Sequence, residues 1–292
     1  MSELRDSVNA LGIADAEAAI SVHALVGSDS DLLAQVGDLP GTVKEVAGWV
    51  QSTFLNSGNP LFGRCEHAVE RLLGERPDEQ TEKVLGLITV RPRFLEDLVS
   101  LSGLAAADLQ TMLEALEQAG VVRADANPLE PDNPFWTMKD RLARFYYAMM
   151  AEHLARWRRG YISDKLWRMI HSRFDRYVCR AEYARLTREW ALGSPDTDLT
   201  TRIVVPDPRF RQLRTLEVAA FGADGTIVGL GTIRWGFLMR EKQLARLRHV
   251  RRLLGDPPAR LYCIAPRVDG AIAADTAPDL YRVGPAHLLR GD

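Results

Sequence analysis

The chain has only three cysteines, Cys65, Cys179 and Cys263, in 292 residues. They are odd in number and far apart, so they match neither a disulfide framework nor a zinc spacing. They read as packing residues in a reducing compartment. Lysine is also scarce: Lys44, Lys83, Lys139, Lys165 and Lys242 are the only five, and arginine supplies the rest of the 37 basic residues. No apolar run approaches the roughly 18–20 residues that span a bilayer. The opening MSELRDSVNALG has early acids and no apolar signal core, which points to a cytoplasmic protein with no membrane partner. Gly-Lys-[Ser/Thr] occurs nowhere, so the phosphate-cradling loop of a P-loop ATPase is missing. The six histidines are dispersed, and no Ser-His-Asp or Cys-His set stands at a favourable spacing.

What is present is a division of charge. Through Phe135 there are 9 basic and 22 acidic residues; from Trp136 onward there are 28 and 17. An acidic front and a basic back suit two modules with different partners, or modules that attract each other.

Periodicity predicts one or two helices over residues 1–37, a helix from Thr42 to Phe54 and another from Leu61 to Leu73. Helices are then expected over 79–88, 94–101 and 106–119, followed by a strand at Val121-Val122. That order is the pattern of a winged helix-turn-helix. Its third helix carries Asp108, Glu114 and Glu117 and no Lys or Arg. Entry into a DNA groove needs phosphate neutralisation, so this helix is expected to contact protein. Asn127–Pro134 is Pro-rich and reads as the main domain boundary. The expected domains are a helical region at 1–77, the winged helix-turn-helix at 78–134, and a helical connector with a small mixed α/β domain at 135–292.

In that last domain, TMKDRLARFYYAMM is a helix with a basic face, and Trp157 and Tyr161 are candidates for stacking on bases. A long helix follows over 163–192, interrupted near Cys179. Residues 201–205 form a strand and Pro206-Asp207-Pro208 a turn. Thr215–Trp235 reads as two strands joined at Gly222–Gly225, with Thr232 and Arg234 on one face. A basic helix covers 239–254, a strand 261–265, and a final strand and helical turn 280–289.

TMKDRLARFYYAMM (137–150), CRAEYARLTREW (179–190), TLEVAA (215–220) and VGLGTIRW (228–235) together resemble the C-terminal portion of the archaeal-type AAA ATPase family. The resemblance runs from about His23 onward. It implies an α+β chain with a helical lid, a winged helix and a restriction-endonuclease-like domain, without the ATPase core. It implies that Glu182, Glu217, Thr232 and Arg234 occupy the positions of the family's nuclease centre. Two of them depart from its pattern: Thr232 stands where a carboxylate is expected and Arg234 where a Lys is expected. Mg²⁺ favours charged oxygens, and an arginine is a poor general base. The expectation is therefore a vestigial site with no metal, no cofactor and no confident catalytic residue.

Three functional readings follow. The leading one is a non-catalytic scaffold whose acidic N-terminal half contacts protein and whose basic half holds a nucleic-acid backbone. The arginines chosen for that grip are Arg156, Arg158, Arg159, Arg246, Arg248, Arg251 and Arg252. The second is a Mg²⁺-dependent nuclease using Glu182, Glu217 and a migrated partner near Glu241, Lys242 and Gln243. The third is a structural partner of a separate ATPase that binds no nucleic acid.

Overall fold

The computed structural model describes residues 3–161 and 164–290. The chain divides into two compact units. One is a sheet unit of Met1–Gly12, Asn127–Leu129 and Arg180–Asp292, and the other a helical unit of Ile13–Ala126 and Glu130–Cys179. The chain passes between the units at Gly12/Ile13, at either end of Asn127–Leu129 within the Pro-rich segment, and at Cys179/Arg180 within the helical stretch. No helix among the described residues is long and apolar enough to cross a membrane.

In chain order the first helix, α1 (Glu3–Asn9), belongs to the sheet unit. The helical unit begins with α2 (Ala16–Val26), whose residues Ala18–Val26 are all buried. A helix apolar on every side is the natural centre of a bundle. Asp15 caps it by accepting from the backbone N–H groups of Glu17 and Ala18, and its other oxygen accepts from Val43. Gly27 ends it with φ 58°, where an added Cβ would lie 2.8 Å from the Arg141 guanidinium. α3 (Ser30–Gln35) and α4 (Val43–Thr53) follow. Next come α5 (Pro60–Glu66) and α6 (Ala68–Leu73), separated at His67, where one helix was expected.

Then come α7 (Glu79–Val90), α8 (Leu95–Ser102) and α9 (Ala106–Gln118). Leu109, Leu113 and Leu116 bury one face of α9, the spacing that predicted it. β1 (Val122–Asp125) and β2 (Phe135–Met138) form an antiparallel hairpin, and Arg93 exchanges backbone hydrogen bonds with Trp136 beside it. The Pro-rich segment read as the main boundary also forms the loop of this hairpin. Proline and acidic turn residues mark both kinds of connection equally.

α10 (Arg141–Phe145) runs into a π-helical segment at Tyr146–Met150, then α11 (Leu154–Arg158) and α12 (Asp164–Arg173). The expected interruption near Cys179 is a second π-helical segment, Phe174–Cys179. Trp49, Phe54, Phe145 and Phe174 form a chain of ring contacts at 5.3, 5.6 and 6.4 Å.

The sheet unit continues with α13 (Arg180–Leu192), β3 (Leu199–Asp207), β4 (Gln212–Phe221), β5 (Ile227–Ile233), α14 (Glu241–Leu253), β6 (Arg260–Ile264), α15 (Gly270–Ala274), β7 (Leu280–Val283) and α16 (Pro285–Arg290). The strands lie in that order. β3, β4 and β5 are an antiparallel meander, and β6 and β7 add in parallel. The β5–α14–β6 crossover is what parallel pairing requires. Leu244, Leu247 and Val250 of α14 pack on Ile203, Leu216, Leu230, Leu261 and Cys263 to form the core. Glycine is required at Gly229 and Gly231, because an added Cβ would come within 2.7 Å of the Tyr262 ring and of Ile264 respectively.

Candidate functional site

The local geometry turns on a bulge in β4. Thr201 pairs with Ala219 and Ile203 with Leu216, so Arg202 alone faces both Glu217 and Val218. An extra residue of this kind re-aims side chains. Leu216 and Ala219 both join the core beneath α14, and Glu217 turns to where α13 supplies arginines.

Arg180 donates from Nη2 to Glu217 Oε1 at 2.7 Å. Arg202 donates from Nε to Oε2 at 2.9 Å and bonds the same oxygen through Nη2. Arg188 donates from Nη1 to the Glu217 backbone carbonyl at 3.2 Å. The Glu217 side chain is only 11% exposed. Burial alone would push its carboxyl up, but the charges of Arg202 and Arg180 overcome that and hold it down at about 2. Both carboxylate oxygens are thus engaged by guanidinium groups.

Arg246 extends the cluster from α14. Although exposed by area, its guanidinium is partly desolvated by its surroundings. Arg214 and Arg234 push its proton affinity down further, and Glu217 opposes them. Like charges so close together favour an anionic ligand that would relieve their repulsion.

The other candidates are less united. Thr232 is half-buried on β5, one residue beyond the Val218–Gly231 pair, and pairs with Cys263 of β6. Arg234 anchors its backbone N–H on the Ile264 carbonyl at 2.9 Å. Glu182 is fully buried and accepts from Arg185 at 3.1 and 3.2 Å. It lies two residues beyond Arg180, about 200° further round the helix, so the two side chains leave α13 in nearly opposite directions.

Glu241 is exposed in the first turn of α14, as is Lys242, and Gln243 accepts from the Arg240 backbone as a cap. No group of three or more His, Cys, Asp or Glu side chains among the described residues is placed to hold a metal ion.

The arginines selected for backbone binding divide between the units: Arg156, Arg158 and Arg159 in the helical unit, Arg246, Arg248, Arg251 and Arg252 in the sheet unit. Acids already engage three of them. Arg158 pairs with Glu66, Arg248 with Asp275 at 2.7 Å, and Arg251 with Asp256 at 2.9 Å and with Asp279. Arg156, Arg159, Arg246 and Arg252 are exposed. Trp157 is buried and donates to the Met149 carbonyl at 3.2 Å, so it offers no face for stacking; Tyr161 is 62% exposed.

Asp207 corrects a further expectation. It is the last residue of β3 and is buried, where a turn residue was expected. It accepts from Arg214 Nε at 2.8 Å and lies 2.9 Å from His249 Nε2. Reading the sequence missed Arg180, Arg202 and Arg214. The available signal was a charged residue inside each apolar strand, at positions 202 and 214.

No protein-family model matches the chain, and neither a curated protein nor a solved structure matches it.

Proposed function

We propose that the sheet unit is a non-cutting, nuclease-like domain that holds a nucleic-acid backbone against its arginine cluster. The observation that carries this reading is the double engagement of Glu217 by Arg180 and Arg202. A metal ion at Glu217 would have to displace both guanidiniums from a carboxylate held near the bottom of its range, which makes metal-assisted cleavage the weaker reading. A phosphate oxygen could share those same donors without displacing them, since each guanidinium has five N–H groups. The helix, three-strand meander, crossover helix and parallel strand support the nuclease-like fold and the relation to archaeal-type ATPase C-terminal regions.

The helical unit supports a protein-binding role. Its α7–α8–α9 and β1–β2 order suits a winged helix, yet α9 exposes Asp108, Glu114 and Glu117. Such a face repels phosphate and suits a basic protein surface.

The test is oligonucleotide binding by fluorescence anisotropy across a salt series. Log affinity should fall linearly with log salt, and Arg246→Ala should reduce the slope by about one. Absence of binding, or affinity indifferent to salt, would sink the backbone-holding role.

A further inference from the structure

The β3–β4 hairpin turns through Pro208–Arg211, with Asp207 paired to Gln212 across its base and Arg211 in the left-handed region at φ 49°. Its tip reads Arg209-Phe210-Arg211-Gln212-Leu213-Arg214. Phe210 is 52% exposed and Leu213 60% exposed. Phe210 lies on the turn and Leu213 at the start of β4, so two large apolar side chains stand more than half exposed beside Arg209, Arg211 and Arg214.

The Phe210 ring is held in place. The Arg214 guanidinium carbon lies 5.2 Å from its centroid and that of Arg209 5.4 Å, both within cation–π range. His249 meets it edge-on at 5.9 Å. Buried Asp207 anchors two of these three neighbours, Arg214 and His249. Arg209 is exposed and has no ion pair among the described residues, so it can leave the ring for a phosphate. Arg214 also lies within electrostatic reach of Arg246, which joins the hairpin tip to the arginine cluster.

We propose that Phe210 is a stacking platform for an unpaired base, and that the ligand class is single-stranded nucleic acid. This deepens the backbone-holding reading and rests on it. An aromatic face beside an exposed and an anchored cation is the combination that single strands use. Bases stack on the ring while arginines follow the phosphates, and every base has a π face to offer. Intact duplex hides those faces. Asp207, the anchor of Arg214 and His249, and Glu217, which acts on Arg246, are both engaged by guanidiniums.

The test uses the full chain, with fluorescently labelled oligothymidylate of about 15 nucleotides, a duplex of the same length, and phosphatidylserine vesicles. Wild type should bind the single strand more tightly than the duplex. Phe210→Ala should lose roughly fivefold or more in single-strand affinity, with duplex affinity nearly unchanged. Phe210→Trp should restore it, and Phe210→Leu, which keeps apolar area without a π face, should not. Thermal melts should be alike, because the ring is half exposed. Equal loss on single strand and duplex, or full activity of the Leu variant, would overturn stacking while leaving backbone binding intact. Binding confined to vesicles and lost in Phe210→Ala would make the tip a membrane contact and overturn the proposal. No salt-dependent binding to either nucleic acid would defeat the backbone reading itself.

Discussion

Glu217→Gln isolates the charge at the centre of the cluster while keeping the shape of the side chain. The carboxyl is held at about 2, against an ordinary value of 4.5. At about 1.4 kcal/mol per pH unit, that depression corresponds to roughly 3 kcal/mol of folding stability at neutral pH. The direction follows from the depressed value. The contribution is complete above about pH 4.5 and is lost as pH falls towards 2, where the folded protein takes up the proton. Gln leaves Arg180 and Arg202 without a counter-charge, and breaking a buried pair on one side costs a similar amount, about 3–5 kcal/mol. Urea denaturation of wild type and variant in parallel should give a gap of about 3 kcal/mol at pH 7. The gap should shrink steadily below pH 4.5 and nearly close near pH 2. A gap that stays constant with pH, or one below about 1 kcal/mol at pH 7, would refute the ion-pair account.

Other outcomes follow from packing. Gly231→Ala would bring a methyl within 2.7 Å of Ile264 Cδ1 and 3.1 Å of Val218 Cβ; a thermal melt should show a loss of about 1–3 kcal/mol from overpacking. Cys65, Cys179 and Cys263 are all buried thiols outside any disulfide. Burial pushes the Cys263 thiol up to about 11 and the Cys65 thiol higher still. A thiol reagent at neutral pH should therefore label the chain only as it unfolds, and labelling of the native protein would contradict the burial.

Much of the fold is legible in local pattern. Val46 and Val50 on α4, and Leu109, Leu113 and Leu116 on α9, repeat at helical spacing and are buried together. The β4–β5 pair shows through its apolar runs and the Gly222–Gly225 turn. What escapes depends on non-local pairing. All four residues of β2, Phe135–Met138, are buried, and with no alternation to mark a strand they merge into the helix that follows. α15 is five residues, one Gly, three Ala and the buried Ile272, too short to show a period. The split at His67 has no proline or glycine to announce it.

The site was legible in proportion to its dependence on one strand. Alternation assigns Thr232 and Arg234 to one face, although β5 ends at Ile233 and leaves Arg234 just beyond it. Glu217 could be singled out as an acid in an apolar strand, but not its partners. Those depend on the bulge that sets Arg202 against Glu217 and on the helix end that delivers Arg180. Neither is encoded in the spacing of one segment. The seven arginines chosen as a grip show the same limit, since sequence spacing cannot reveal that Asp275, Asp256, Asp279 and Glu66 neutralise three of them.

The most direct test of the central claim compares oligonucleotide binding and cleavage by wild type and Glu217→Gln, each with and without Mg²⁺. If the arginines hold phosphate and the Glu217 charge offsets part of their field, the variant should bind several times more tightly than wild type even though it is less stable. Neither protein should cut. Mg²⁺-dependent cleavage by wild type that disappears in Glu217→Gln would contradict the account and make Glu217 a metal ligand.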